Sequence, residues 1–338
     1  MWLRAKLVEG GTKVEMCWGN DDGPYDPYVI GKAALDADAL RVRQVLDEIA
    51  YWYQAKPANT LPGLLRKLAG EGAQLRWRIF HSPGSNATID AVKSELTAEG
   101  TKHLTIVADP DLQIPWGLIA EGDLEDVGDV VDCDPRFWTN RYRLSLAFRA
   151  HHYRVPAGGS PAEVLAISAI CRKTFAGVEA QFDRWAEMPL GLAFNREVFR
   201  DLIGKAKSGG REAVYHIFGH AQNRVIHIDD ELIDLTKLQI YLENAKGIVL
   251  LNACETATGD LDNSFRSQLV NGDILGIVAT ESKVPRIPAS QFSKKFQELF
   301  IQQRMSLGQT MQAIQMDKSF WPVGMMYSCY APVDYRIC

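Results

Sequence analysis

The sequence predicts an α/β fold in which a mostly parallel central sheet is flanked by helices on both faces. From about residue 102 onwards, short β-branched runs alternate with segments of helical length and periodicity. Such alternation is typical of a parallel sheet that is covered by helices. The chain has 338 residues, of which 46% are hydrophobic and 23% charged, so it can bury a sizeable core.

The first hundred residues have a different pattern. Two alternating runs around Gly10 and Gly11 predict a β-hairpin over residues 2–19. Three helices are expected after it, at residues 36–54, 60–72 and 86–99. Gly70 and Gly72 are expected to end the second helix. A domain boundary is therefore predicted near residue 100, which divides the chain into residues 1–100 and residues 101–338.

The second region contains the elements of the predicted sheet. Strands are expected at residues 102–109, 141–148, 163–171, 214–218, 248–252, 273–282, 325–331 and 334–337. Helices are expected at residues 177–187 and 195–207, over most of 229–246, and at 289–303 and 306–318. The predicted sheet is thus assembled from strands separated by helical crossovers.

Composition excludes several classes of function. The net charge is −5 and the pI is near 5.9, so no basic nucleic-acid footprint is present. No apolar run approaches the ~20 residues that span a bilayer, and the first residues lack the apolar core of a signal peptide. The six cysteines are scattered, which argues against a disulfide scaffold or a zinc ribbon. A cytoplasmic protein that binds neither membranes nor nucleic acid directly is expected.

An acidic segment at residues 121–135 has seven carboxylates and no basic residue. It could be a loop that binds a divalent cation or a solvated loop. The ligand spacing and central glycine of an EF-hand are absent, which favours the solvated loop.

The strongest chemical signal lies in "VYHIFGHAQ" (214–222) and "GIVLLNACETATGD" (247–260). His220 and Cys254 each follow the end of a predicted strand. Ligands bind at the carboxyl ends of strands in open α/β sheets, and one right-handed crossover would bring both ends to the same edge. A histidine there could take the proton of the cysteine thiol. His216 lies mid-strand and is expected to be packed, and the spacing of these residues matches no zinc motif.

These two motifs resemble those of the CHAT-domain proteases, which are caspase-like cysteine peptidases of the clan that also holds separases. The most specific piece is "NACET" at 252–256. The segments that resemble this family further are "HLTIVADPDLQIPWGLI" (103–119), the region after Cys254 at 272–300, and "WPVGMMYSCYAPVDYRI" (321–337). The resemblance covers roughly residues 100–338 and implies a caspase-like fold.

The resemblance also implies roles for individual residues. Cys254 would be the nucleophile and His220 the general base, with an oxyanion hole formed by the backbone N–H groups of Gly219, Ala221 and Cys254. Ala221 departs from the family pattern, in which glycine usually follows the histidine. If this position needed a left-handed backbone, alanine would strain the oxyanion hole.

Four side chains are candidates for contacts with the substrate: Asn252, Glu255, Asp229 and Asp260. In relatives that cleave after Arg or Lys, an aspartate two residues before the cysteine helps to bind the basic P1 side chain. Asn252 has no charge, so we expect a weaker basic preference or a neutral P1. Glu255 could equally well orient the loop.

The resemblance therefore implies a cytoplasmic cysteine endopeptidase that acts on a protein substrate and needs no metal or cofactor. It also implies a latent enzyme that a sensor or regulatory protein controls. Several relatives act in bacterial anti-phage defence, so the resemblance implies such a role here as well. Residues 1–100 would be a regulatory or docking region, or an inactive caspase-like half. Two alternatives are a catalytically silent caspase-fold scaffold and an acyl- or glutamine-type transferase.

Overall fold

A computed structural model describes residues 1–55, 60–81, 86–98, 103–122, 128–147, 165–170, 191–222, 225–228, 231–254, 256, 265, 269 and 274–336. The chain forms two compact units, one of residues 1–150 with 315–325 and one of residues 151–314 with 326–338. The first unit thus extends past residue 100. The roles that the sequence assigns to residues 1–100 and 101–338 stay predictions.

The first unit contains a mixed sheet. Its strands are β1 (Trp2–Val8), β2 (Lys13–Asn20), β3 (Gly23–Pro24), β4 (Tyr28–Gly31), β5 (His103–Ala108) and β6 (Arg143–Ala147). The order is β3-β2-β1-β5-β6, with β4 also paired to β2. The antiparallel pairing of β1 with β2 confirms the predicted hairpin. Strand β5 runs parallel to both β1 and β6, so the hairpin shares a sheet with strands that follow residue 100.

The helices of this unit are α1 (Lys32–Ala55), α2 (Leu61–Phe80), α3 (Asn86–Thr97) and the short α4 (Trp138–Arg141). The predicted end of the second helix was wrong, since α2 continues past Gly70 and Gly72 to Phe80. A Cβ at Gly72 would lie 2.3 Å from the carbonyl oxygen of Leu118. This glycine therefore permits close packing inside a helix and does not end it. Short 3₁₀ turns lie at Glu9–Gly11 and Trp116–Leu118.

The second unit contains a mostly parallel sheet, as the sequence predicts. Two strands predicted for this sheet, at residues 102–109 and 141–148, instead form β5 and β6 in the sheet of the first unit. Its strands are β7 (Leu165–Ile170), β8 (Leu192–Ala193), β9 (Glu212–Phe218), β13 (Lys246–Asn252), β14 (Ile274–Thr280) and β15 (Tyr327–Tyr330). The order is β15-β14-β13-β9-β7-β8, and among these strands only β15 pairs antiparallel. The central strands β9 and β13 are buried over nearly their whole length, as their continuous apolar sequences require.

A small antiparallel sheet follows β9 directly. It consists of β10 (His220–Gln222), β11 (Val225–Ile228) and β12 (Glu231–Asp234). Strand β12 occupies the start of a segment that the sequence predicts as mostly helical. The helix begins only afterwards, where the Asp234 side chain accepts a hydrogen bond from the Lys237 N–H at 2.8 Å.

The helices of the second unit are α5 (Arg196–Ser208), α6 (Leu235–Leu242), α7 (Arg286–Phe296) and α8 (Leu307–Gln315). A π-helical turn at Gln297–Gln302 continues α7, and a 3₁₀ turn lies at Val323–Met326. The predicted closing strand does not form at residues 334–336. The predicted helix at 177–187 lies outside the described residues. No helix in the described part of the chain is long and apolar enough to span a membrane.

The described part of the acidic segment forms ion pairs. Asp134 pairs with Arg136 at 2.8 Å, and Glu121 pairs with Arg76 at 2.6 Å. The Asp134 carboxyl pKa is held below its usual value by hydrogen bonds from Arg136 that outweigh its partial burial. Within the described ranges no group of three or more His, Cys, Asp or Glu side chains could hold a metal ion.

Candidate active site at the ends of two parallel strands

The ends of β9 and β13 lie side by side. The two strands pair in parallel, and the last pair in register is Phe218 with Asn252. His220 and Cys254 each lie two residues beyond that pair. The predicted meeting of the two strand ends at one edge of the sheet is therefore confirmed. The catalytic roles of the two residues stay predictions.

Gly219 makes the bend between β9 and β10. A Cβ at this position would lie 2.6 Å from the carbonyl oxygen of His227 and 3.3 Å from a methyl carbon of Ile226. The Gly219 N–H donates to the carbonyl oxygen of Asn252 at 3.3 Å. This bond occupies the N–H that the family resemblance assigns to an oxyanion hole. The geometry therefore does not support Gly219 as an oxyanion donor, which leaves Ala221 and Cys254 as the predicted donors.

Ala221 lies in β10, where it pairs with Ile226 of β11. Among the described residues, those other than glycine that have positive φ are Glu9, Cys133, Asn244 and Arg304. The backbone of Ala221 is thus an ordinary extended strand. The strain that the alanine could have caused does not arise, because no left-handed turn exists at this position.

His220 begins β10, which is an edge strand of the small sheet, and its side chain is exposed. Its partner across the strand pair is His227. Partial desolvation, and secondly the positive charge that His227 can carry, lower the pKa of His220 below its ordinary value. The imidazole is therefore neutral at pH 7 and has a lone pair that can accept a proton.

Cys254 lies in the turn after β13, is half-buried, and carries a thiol that is not in a disulfide. Two fully buried threonines, Thr256 and Thr280, form hydrogen bonds in this turn. The Thr280 hydroxyl donates to the carbonyl oxygen of Ala253 at 2.5 Å, and the Thr256 N–H donates to the Thr280 hydroxyl at 3.3 Å. The Thr280 N–H donates back to the Thr256 hydroxyl at 3.1 Å. Ala253 and Thr256, on either side of Cys254, are thus tied to the end of β14.

Asn252 does not project towards solvent. It is 3% exposed, and its amide nitrogen donates to the Ala289 carbonyl at 2.6 Å and to the Ser293 hydroxyl at 2.7 Å. Its amide oxygen accepts from the Tyr327 hydroxyl at 2.7 Å. A contact between Asn252 and a P1 side chain would require these buried bonds to break, so the structure does not support the predicted substrate contact. Its side chain belongs to the packing beneath the strand end.

His216 is fully buried in β9, as the sequence predicts for a packed histidine. Its Nε2 lies 2.9 Å from the Ser293 hydroxyl, and its ring centroid lies 6.0 Å from that of Phe218. Burial lowers the pKa of His216 to about 3. The side chain is therefore neutral at pH 7 and far from solvent, so it does not compete with His220 for the role of general base.

Three predicted substrate contacts, Glu255, Asp229 and Asp260, lie outside the described residues. Three further residues contribute to this site that the sequence did not indicate: Ser293, Tyr327 and Thr280. Thr280 ends β14, the strand beside β13, so its place at a third strand end was a usable signal. Ser293 and Tyr327 come from a helix and an antiparallel strand, and no local pattern marks them.

The described site is thus a half-exposed thiol and an exposed neutral imidazole at one edge of a parallel sheet. No protein-family model matches the sequence, and no curated protein matches it significantly. Among solved structures, the chain is similar to Saccharomyces cerevisiae separase in a crystal structure of the separase-securin complex at 2.6 Å. That match has a TM-score of 0.56 at 7% identity and covers 98% of this chain and 30% of that chain.

A second separase-securin structure, at 3.0 Å, gives a TM-score of 0.45 at 10% identity and covers 89% of this chain and 22% of that chain. This chain spans less than a third of the separase chain in both structures. The first match establishes the fold class, which is a caspase-like α/β fold of the kind that separase has.

Proposed function

We propose that this protein is a caspase-like cysteine endopeptidase of the CHAT type, with Cys254 as nucleophile and His220 as general base. The observation that supports it best is the parallel register of β9 and β13. Because Phe218 pairs with Asn252, the histidine and the cysteine leave the sheet at equivalent positions on neighbouring strands. A Cys–His pair at that edge is the arrangement needed to activate a thiol.

In the proposed mechanism, neutral His220 takes the proton of the Cys254 thiol as sulfur attacks the carbonyl carbon of the scissile bond. The C=O electron pair moves onto oxygen and gives a tetrahedral oxyanion. Collapse of this intermediate breaks the C–N bond, and the imidazolium returns the proton to the leaving amine. Water, deprotonated by His220, then attacks the thioester, and the thiol leaves with that proton.

The proposed oxyanion donors are the backbone N–H groups of Ala221 and Cys254. A donor of this kind contributes about 3 kcal/mol to the stability of the transition state. The extended backbone of Ala221 supports this role, since the residue needs no unusual conformation to present its N–H. The threonine contacts around Ala253 support a fixed position for the other donor.

The substrate, on this proposal, is a protein, and a partner protein controls access to the site. The exposure of His220 supports a large substrate, since the imidazole is open to solvent. Control by a sensor, a role in defence and a P1 preference that is neutral or only weakly basic derive from the sequence resemblance. A P1 library assay that gave a strict Arg or Lys preference would refute the last of these.

The direct test is incubation of the protein with a protein encoded beside it, followed by mass spectrometry of the products. We expect cleavage by the wild type and none by Cys254→Ala. Cys133→Ala is the matched control, because Cys133 belongs to the first unit, where its thiol donates to the carbonyl oxygen of Met316 at 3.0 Å. Loss of cleavage in Cys254→Ala alone would support the assignment, and cleavage by both variants would contradict it.

Labelling with a peptidyl acyloxymethyl ketone tests the first alternative, a catalytically silent scaffold, and trapping with amines tests the second, a transferase. An enzyme should be labelled at Cys254 in preference to the buried Cys17 and Cys329. Equal reactivity in every condition would favour a silent scaffold, although Ala221 no longer argues for one. Trapping of the acyl-enzyme by added amines in preference to water would identify a transferase.

A further inference from the structure

Four buried polar side chains beneath the end of β13 form a hydrogen-bonded series. Its members are Tyr327 of β15, Asn252 of β13, Ser293 of α7 and His216 of β9. Their exposed fractions are 1%, 3%, 0% and 0%. Buried polar groups lower the stability of the fold unless all of their hydrogen bonds are made. Apolar packing would therefore serve better than this series if stability were its only role.

The hydrogen bonds of this series all run in one direction, from donor to acceptor. The Ala289 carbonyl can only accept, so the amide group of Asn252 that faces it must be the NH₂. The other hydrogen of that NH₂ points to the Ser293 oxygen, and the Asn252 oxygen accepts from Tyr327. The simplest arrangement that uses every hydrogen has the Ser293 hydroxyl donate to Nε2 of neutral His216. Tyr327 is thus the first donor, and His216 is the last acceptor.

Tyr327 is held firmly in this position. Its ring stacks on that of Phe292, with centroids 3.5 Å apart and planes 8° from parallel. Across the strand pair it faces Thr280, whose hydroxyl donates to the carbonyl of Ala253. Tyr327 and Thr280 therefore hold two consecutive residues, Asn252 and Ala253, immediately before Cys254.

Tyr327 is also an electrostatic neighbour of Cys254. Burial raises the pKa of the phenol well above its usual value, and a negative charge on Cys254 raises it further. The phenol accordingly remains a neutral hydrogen-bond donor when a thiolate forms beside it.

We propose that Tyr327 is a positioning residue for Cys254, which acts by holding the side chain of Asn252 through its hydroxyl group. This inference rests on the proposed role of Cys254 as a nucleophile. Removal of the hydroxyl would leave the Asn252 oxygen without its buried donor and would loosen the turn that carries the thiol. A small misplacement of a nucleophile slows attack on a bound carbonyl far more than it slows attack on a small soluble electrophile.

The test compares two reagents on the full-length chain. A peptidyl acyloxymethyl ketone reacts only with a thiol aligned with its bound carbonyl, whereas iodoacetamide reports the accessible thiol. We expect Tyr327→Phe to lower the rate of acyloxymethyl ketone labelling at Cys254 by about tenfold, the equivalent of one lost buried hydrogen bond. Iodoacetamide labelling of Cys254, followed by peptide mapping, should change by less than about threefold.

Tyr335→Phe is the matched control. Its hydroxyl donates to Glu212 at 3.0 Å, and Glu212 begins β9, at the opposite end of that strand from His220. The same chemical change at Tyr335 should leave both labelling rates at their wild-type values. Ser293→Ala should give a smaller loss than Tyr327→Phe, because Asn252 then keeps its bonds to Tyr327 and Ala289.

The outcomes separate this inference from the proposed function. If the ketone labels the wild type much faster than His220→Ala, and labels Tyr327→Phe as fast as the wild type, the function stands and the inference is overturned. If the wild type and His220→Ala react alike with the ketone, the function fails and the inference fails with it. An equal fall in both labelling rates for Tyr327→Phe would also overturn the inference, since it would indicate a loss of folding or exposure.

Discussion

Two histidines four residues apart occupy contrasting surroundings. His216 lies inside β9, is fully buried and has a pKa of about 3, whereas His220 lies in the exposed β10 beyond the bend at Gly219. The same side chain is a fixed acceptor in one place and a candidate proton carrier in the other. The difference shows that the end of a strand, and not the residue type, decides which histidine is available for chemistry.

The sharpest test of this contrast is His220→Ala. Loss of a general base lowers turnover by about 10²–10⁴-fold. Because the side chain is exposed, the free energy of unfolding should change by less than about 0.5 kcal/mol. Peptidase or ketone-labelling rates, measured alongside urea unfolding, check both parts. An inactive His220→Ala variant that is also strongly destabilised would remove the distinction between the two histidines.

The second prediction concerns the pH dependence of stability. The pKa of His216 falls from 6.5 to about 3 on folding, so the unfolded chain binds a proton between these values and the folded chain does not. Its contribution to stability is therefore complete above pH 6.5 and declines as the pH falls from 6.5 towards 3. The limiting slope is about 1.4 kcal/mol per pH unit.

His216→Gln removes this titrating group and should flatten the decline in unfolding free energy between pH 7 and pH 5. His81→Gln, which makes the same change at an exposed histidine, serves as the matched control. Equal slopes for the wild type and His216→Gln would mean that His216 is not buried in its neutral form.

The smallest expected effect concerns His227, the cross-strand partner of His220. A charge on His227 is the second cause of the lowered pKa of His220, after desolvation. His227→Gln should therefore raise the pKa of His220. Since the proposed base would act in its neutral form, the acid limb of the pH–rate profile should move to higher pH. An unchanged acid limb would indicate that desolvation alone sets this pKa.

Much of the candidate site was predictable because it depends on local order and topology. The apolar runs that end at Phe218 and Asn252 predict two strands, and one crossover predicts that their ends meet. The buried position of His216 followed from its apolar neighbours. The role of Asn252 was not predictable, because its three partners come from α7 and β15, at least 37 positions away in the chain.

Errors in the predicted elements have similar causes. The sequence predicts a helix end at Gly72, whereas in the structure this glycine lets α2 approach the backbone at Leu118. The sequence predicts β12 as part of a helix, but the pairing of β12 with β11 outweighs the helical periodicity of this segment. In both cases a contact with another segment decided the local structure.

The sequence by itself determined the α/β class, the two strand ends and the pair of residues that could carry out chemistry there. These features depend on hydrophobic runs and on the order of elements, and both can be read directly from the sequence. Only the tertiary structure decided that Ala221 is extended, that the Gly219 N–H is occupied, and that Tyr327 supports the strand end before Cys254. Each of these depends on contacts between groups that are distant in the sequence, and no local sequence pattern predicts such contacts.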